Sequence, residues 1–372
     1  MMNEDIKIVF GSDFHIGNSK ISAEETHLNL ADYFYPEIKD AQVVFLGGDF
    51  FHRLLKLDEP ASLEAISIVK ELIDMAGKYN FKLRVLRGTF THDRLQNAIF
   101  KSVLSKTTKN VDVSCIDCIS LELLKDVGLR VLYLPDNLPY KNKEEVMEVI
   151  HGLLAMYGWD KIDLIIGHGY FEHVFPVNVP HPSILFEYDD FKDIVTGYIL
   201  MGHVHSSSVY KNIIYNGSFE RFAHNEEEKK GFYTIYKKGN NWSYNFIENK
   251  DTPLFYTVEL HGDNIDILQE EIDKFIVQKF NNQKGYLRIA HENSDIKQIL
   301  LQCTHDKYPD LIVTVKSSKE SVQQRQIIKE FQTCTCVIPT KENIPSLILE
   351  FLQQTNIKTE LTEDIIRRTL QL

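Results

Sequence analysis

The feature that most constrains this chain is a set of five short clusters of Asp, His and Gly, each at the end of a β-rich run. Residues 6–10 lead into Gly11-Ser12-Asp13-Phe14-His15, and residues 41–46 into Gly47-Gly48-Asp49-Phe50-Phe51-His52. The run 82–87 leads into Gly88-Thr89-Phe90-Thr91-His92-Asp93, and the runs 162–167 and 197–202 end in Gly167-His168-Gly169 and Gly202-His203-Val204-His205. Two further β-rich runs lie at 129–134 and 212–217. Between the runs, helical spacing appears at 61–80 (Leu63, Ile66, Val69, Ile73, Met75) and at 143–158 (Val146, Ile150, Leu153, Leu154). Strands alternating with helices predict an α/β arrangement up to Asn249. In such sheets the loops after the carboxyl ends of the strands converge on one place.

The clusters suit metal chemistry. Residues two apart on a strand share a face, so a D-x-H or an H-x-H sends both side chains the same way. Adjacent glycines let the backbone turn sharply and leave room for ions. Two divalent ions held ~3.5–4 Å apart activate a water and neutralise the oxygens of a phosphate, and they need carboxylate and imidazole ligands. A lone pair of such residues means little, because isolated histidines are common in cores and on surfaces. Here six of the 14 histidines fall inside five ordered clusters, which chance does not explain.

The order D-x-H, G-D, H-D, G-H, G-H-x-H resembles that of the calcineurin-like metallophosphoesterase superfamily. Within it, the chain is most similar to SbcD-type nuclease subunits of double-strand-break repair and recombination, including phage recombination endonuclease subunits. Asp49-Phe50-Phe51-His52 matches the D-x-x-H of that branch, where protein phosphatases carry an Asp-Arg-Gly ending. Tyr215-Asn216-Gly217-Ser218-Phe219-Glu220-Arg221, followed by Lys230-Gly231-Phe232, resembles a further segment of it. Specific motifs cover residues 6–235; from 252 to 317 the likeness rests on domain order alone.

The resemblance implies a β-sandwich metallophosphoesterase core flanked by helices (1–249), a small α/β DNA-capping domain (250–318), and a linker with a helical ATPase-binding tail (319–372). It implies that Asp13, His15 and His205 hold one metal, that Asp49 bridges, and that His168 and His203 hold the second. His92 takes the place of a histidine that contacts the phosphate and protonates the leaving oxygen. Asp93 would accept the other ring N–H of His92, and His52 would assist substrate positioning or transition-state charge. The implied ions are two manganese or magnesium, with imidazole-rich sites favouring manganese. One motif departs from the family. Its Gly-Asn-His-Asp/Glu becomes Gly88-Thr89-Phe90-Thr91-His92-Asp93, with two extra residues and no Asn. Counting back from His92, Thr91 takes the place of the amide ligand. A hydroxyl is the weaker donor.

The expected activity is Mn-dependent exonucleolytic cleavage of duplex ends and endonucleolytic cleavage of single-stranded or hairpin DNA. The expected partners are DNA, an SMC-like ATPase and a second copy of the chain. The rival readings are a metallophosphatase or cyclic-nucleotide phosphodiesterase on small substrates, and a non-catalytic repair scaffold. The net charge of −12 over 372 residues argues against coating nucleic acid by bulk charge, so phosphate contacts should be local. Arg84, Arg87, Arg94 and Lys101 around the third cluster either hold the phosphate backbone or form a solvated face. Arg221, inside the family-like segment, has the better claim to DNA. Residues 226–230 read as an exposed loop, and His173 and His181 as plain loop residues.

No apolar run approaches the ~18 residues of a membrane helix, and MMNEDIKIVF lacks a signal-peptide pattern. A cytoplasmic location is the expectation. The five cysteines fit reduced thiols: Cys115 and Cys118 have half-zinc-site spacing without a matching second pair.

Overall fold

The computed structural model describes residues 5–316, apart from 57, 107–109, 137, 177, 178, 180 and 282. The strands are β1 (Asp5–Gly11), β2 (Val43–Leu46), β3 (Lys82–Leu86), β4 (Val113–Ile116), β5 (Ser120–Leu124), β6 (Leu129–Leu134), β7 (Leu164–His168) and β8 (Ile199–Gly202). They continue as β9 (Ser208–Tyr210), β10 (Ile213–Tyr215), β11 (Gly231–Lys238), β12 (Asn241–Glu248), β13 (Leu254–Glu259), β14 (Gly285–Ala290) and β15 (Leu311–Val315). The helices are α1 (Ala23–Asn29), α2 (Tyr35–Ile38), α3 (Pro60–Tyr79), α4 (Ala98–Leu104), α5 (Lys143–Tyr157), α6 (Ile265–Phe280) and α7 (Ser294–Lys307).

Two six-stranded mixed sheets, ordered β12-β11-β1-β2-β3-β4 and β5-β6-β7-β8-β10-β9, are flanked by helices. Strand alternation sets the layers. Ile6, Ile8 and Phe10 of β1, with Val43 and Phe45 of β2, share one core with Val131, Leu164, Ile166 and Leu200 of the other sheet. The opposite faces of β1 and β2, Val9, Val44 and Leu46, pack with Ile68, Leu72 and Ile73 of α3. Leu132, Ile165 and Ile199 pack with Val146 and Ile150 of α5. Each of the long helices is amphipathic at the places the sequence indicates, except that Leu63 lies on the exposed side of α3 (68% accessible) while Ala65 and Ile68 turn inward.

β1 runs parallel to β2, β2 to β3, β6 to β7 and β7 to β8. Their carboxyl ends therefore point the same way within each sheet, and the five clusters follow these ends. The β-rich runs account for the central strands except β11, which lies between β12 and β1 and follows no run in the sequence reading. The other strands that escaped the sequence reading, β4, β5, β9 and β12, are all sheet edges. An edge strand faces solvent on part of its surface and needs no continuous apolar run.

β13, β14 and β15 form a separate parallel sheet with α6 and α7 against it, in the strand–helix–strand–helix–strand order of the sequence. It has its own core around Leu268, Ile272, Leu287 and Leu300, yet belongs to the same compact unit, Met1–Val315. The Tyr286 hydroxyl donates to the Lys20 carbonyl across the junction. The tail expected at 319–372 lies outside the described residues. Among the described residues no helix is long and apolar enough to cross a membrane, and Cys115, Cys118 and Cys303 are free thiols.

Candidate metal centre

Asp13 and His15 after β1, Asp49 after β2 and His203 after β8 all adopt positive φ, and they are four of the eight such non-glycine residues described. That conformation costs about 1–3 kcal/mol at each and persists where the surroundings over-determine it, often at functional sites. Two glycines are required by close approach. A Cβ on Gly48 (φ +97°) would stand 2.4 Å from His168 Nδ1, and one on Gly88 would stand 2.1 Å from the Asp49 backbone nitrogen.

These loops bring together two ligand sets. In the first, donor atoms of Asp13, His15 and His205 lie within 4.8 Å of one another. His15 Nε2 and His205 Nε2 are 2.9 Å apart, each 3.9 Å from Asp13 Oδ1. His205 Nδ1 donates to Glu226 Oε1 at 2.9 Å, which leaves its Nε2 lone pair aimed at His15. Asp13 accepts the Ser12 hydroxyl at 2.6 Å and the His203 backbone N–H at 3.0 Å, and burial pushes its carboxyl upward. Burial, then the neighbouring His205, holds His15 well below the usual imidazole range.

In the second set, Asp49, His168 and His203 converge within the same limit. His168 Nδ1 donates to the Gly47 carbonyl at 2.8 Å, so Nε2 faces Asp49 Oδ2, 3.3 Å away. Burial opposes charge on both groups, but their neighbours together outweigh it: Asp49, with Asp13 and Asp136, holds His168 above its ordinary value, and His168, with His15 and His92, holds Asp49 below. Burial and then His168 bring His203 down to about 4. The Thr89 hydroxyl stands among all three, 3.2 Å from Asp49 Oδ2, 3.4 Å from His168 Nε2 and 3.3 Å from His203 Nδ1.

Carboxylates and imidazole lone pairs aimed at one point repel unless a cation lies between them. The donor types fit divalent ions of imidazole–carboxylate preference. His168 and His205 are each fixed by a hydrogen bond from the far ring nitrogen, the arrangement that orients metal-binding histidines.

Beside the first set, ring nitrogens of His15, His52 and His92 also lie within 4.8 Å. His92 Nδ1 donates to the His52 carbonyl at 2.5 Å, leaving Nε2 as the available nitrogen. Burial, then His92, lowers His52 to about 4.

Four expectations need correction. Thr91 is exposed and outside the ligand set; Thr89 takes the place assigned to it. Residues 89–93 coil into a turn in which the His92 and Asp93 N–H both reach the Thr89 carbonyl, and this brings the Thr89 hydroxyl, not that of Thr91, to the second set. Asp93 does not orient His92. It is fully buried and accepts the backbone N–H of Asp49, Phe51 and Gly88, so it ties the second and third loops together. Arg221 is buried, with Nη1 donating to the Thr252 carbonyl, and so offers no surface to DNA. Residues 226–230 are not simply an exposed loop: Glu226 and Lys230 are buried, and Lys230 Nζ donates to the His205 carbonyl at 2.9 Å.

Of the other arginines, Arg84 is buried against Glu122 and Asp112, Arg87 is half-buried and donates to the Asp136 carbonyl, and Arg94 is exposed. Glu226, Lys230 and Asp136 went unrecognised because their roles come from long-range contacts. The one available signal was the family-like Lys230-Gly231-Phe232.

No family model matches the chain, and no curated protein matches it. Among the solved structures that match, one aligns with 65% of this chain and 99% of its own length, at 12% identity and a TM-score of 0.38, too slight a likeness to bear on fold or function.

Proposed function

We propose that this chain is a two-metal phosphodiesterase acting on DNA, with the α/β sandwich of the calcineurin-like metallophosphoesterases and an SMC-like ATPase as partner. The observation that carries the chemistry is the pair of ligand sets, Asp13–His15–His205 and Asp49–His168–His203, standing at neighbouring strand ends. Asp13, His15 and His205 would hold one ion and His168, His203 and Thr89 the other, with Asp49 shared. When bound, such ions polarise a phosphoryl oxygen and activate water, and manganese suits the imidazole-rich set better than magnesium.

The chain's own groups do the rest. His92, its Nδ1–H tied to the His52 carbonyl, presents Nε2 to hold the proton passed to the leaving oxygen. His52, kept neutral near pH 7 by burial and His92, shapes the same rim. Asp93 fixes the Asp49 and Gly88 loops, and Glu226 sets the His205 tautomer. DNA as substrate, the ATPase and dimerisation rest on the sequence resemblance, chiefly Asp49-x-x-His52 and residues 215–221.

The test is Mn-dependent hydrolysis of bis-(p-nitrophenyl) phosphate run beside digestion of linear duplex DNA. Cleavage of both is expected. Hydrolysis of the small diester alone would replace the nuclease reading with a metallophosphatase or cyclic-nucleotide phosphodiesterase. Neither activity, with DNA binding intact, would leave a scaffold.

A further inference from the structure

A cavity of about 210 Å³ opens beside the second ligand set, with His168 and His203 at one end. Its other walls are largely apolar, including Leu134, Leu138, Ile184, Phe186 and Met201. Tyr170 completes the wall with its ring edge-on to His203 at 4.4 Å, and Phe175 braces it from another side at 5.1 Å. One carboxylate lines the space: Asp136, just beyond β6, on a loop pinned by its own N–H to the Arg87 carbonyl and by Arg87 Nη2 to its carbonyl. The Asp136 carboxylate accepts no hydrogen bond from the described residues, yet its charge reaches Tyr170, His168 and His203.

The occupant must be apolar in body, must offer N–H groups at one edge, and must reach a phosphate at the metal centre. The volume is below the roughly 300–1,000 Å³ of pockets for whole drug-sized ligands, so it takes one ring system, not a complete nucleotide. A sugar is too polar for these walls, a second phosphate is repelled by Asp136, and a plain hydrocarbon offers no hydrogen-bond donor to that half-buried carboxylate. A nucleobase meets all three demands. Enzymes that engage single bases take them out of the stack and read the exposed edge by hydrogen bonds between apolar or aromatic walls.

We propose that this cavity receives the unstacked base of the nucleotide whose phosphate lies at the metal centre, with Asp136 accepting hydrogen bonds from the base edge. The proposal rests on the phosphodiesterase reading above. Guanine offers adjacent ring N–H and amino donors to both carboxylate oxygens and thymine only one N–H, so guanine is preferred.

The experiment measures binding of dGMP, dTMP and deoxyribose 5-phosphate to the Mn-loaded full chain by calorimetry. dGMP should bind about tenfold or more tighter than the base-free sugar phosphate, given the worth of a stacked base, and several-fold tighter than dTMP. Ile184→Trp, or Leu138→Trp should the first not fold, fills the cavity and should bring dGMP level with deoxyribose 5-phosphate. Asp136→Asn should level dGMP with dTMP while both stay tighter than the sugar phosphate. Equal binding of dGMP and sugar phosphate by the unaltered chain, or an advantage that survives both filling variants, overturns the proposal. If that happens while bis-(p-nitrophenyl) phosphate is still hydrolysed, the base site alone falls. If no phosphate binds and no diester is cleaved, the phosphodiesterase reading falls and takes the base site with it.

Discussion

The two ligand sets draw on the same residue types but are held differently. In the first, His205 is oriented by the carboxylate of Glu226, itself held by buried Lys230 at 3.2 Å. In the second, His168 is oriented by a backbone carbonyl, that of Gly47, and the neutral Thr89 hydroxyl completes the group. A carboxylate behind an imidazole strengthens it as a ligand more than a carbonyl does. The first set should therefore bind the tighter ion and the second the ion lost first on dilution or chelation.

The largest effect comes from removing a carboxylate. Asp49→Ala should abolish measurable diester hydrolysis, a loss beyond the ~10–100-fold typical of outer partners, while elemental analysis still finds one bound manganese. Asp13→Ala should lose the tighter ion and disturb the second set as well, because Asp13 also accepts the His203 N–H. An Asp49→Ala protein that retains two ions would break the comparison.

Next comes the support behind the first set. Glu226→Gln keeps the size of the side chain but removes the charge that His205 leans on, and should weaken the tighter ion by about 10–100-fold. Excess manganese should restore turnover. If Glu226→Gln loosened only the weaker ion, the two sets would have been ranked the wrong way round.

Much of this candidate centre was legible because the residues that could hold metal come in local pairs at strand ends. Asp13-x-His15 and His203-x-His205 announce themselves within three residues, and the apolar runs before them mark the central strands. What stayed hidden depends on distance in sequence. Glu226 meets His205 across 21 residues and Asp93 meets Asp49 across 44, with no periodicity to betray either. The edge strands hid because solvent exposure removes the apolar run. The Thr89–Thr91 error was one of register, since a two-residue insertion can be placed on either side of a ligand until the turn is seen.

That register gives the third expectation. Thr89→Ala should weaken the second ion within about tenfold, Thr89→Asn should lower the manganese concentration needed for turnover, and Thr91→Ala, on the exposed side, should change neither. Manganese titrations of the three variants decide it. A response at Thr91 with none at Thr89 would return the ligand position to the residue next to His92.

The change expected to leave the ions untouched concerns a second buried glutamate, six residues before Glu226 in the chain. Burial raises the Glu226 carboxyl, but His205 and Lys230 outweigh this and keep it ionised. Glu220 has no cation beside it: burial lifts its carboxyl to about 7 against weaker opposing bonds from Asn29 and Thr26, and its Oε2 is buried without a hydrogen-bond partner among the described residues. The folded state therefore keeps the Glu220 proton to higher pH than the unfolded chain does. Its contribution to stability is full below about pH 4.5, falls as pH rises toward 7, and is lost above that. Glu220→Gln should then raise stability by about 1–3 kcal/mol at pH 8 and leave it nearly unchanged at pH 5, as read by urea unfolding at both pH values. Manganese affinity should stay constant throughout, in contrast to Glu226→Gln. An equal gain at both pH values would mean that Glu220 is ionised in the fold, and that the two glutamates differ in their partners but not in their charge.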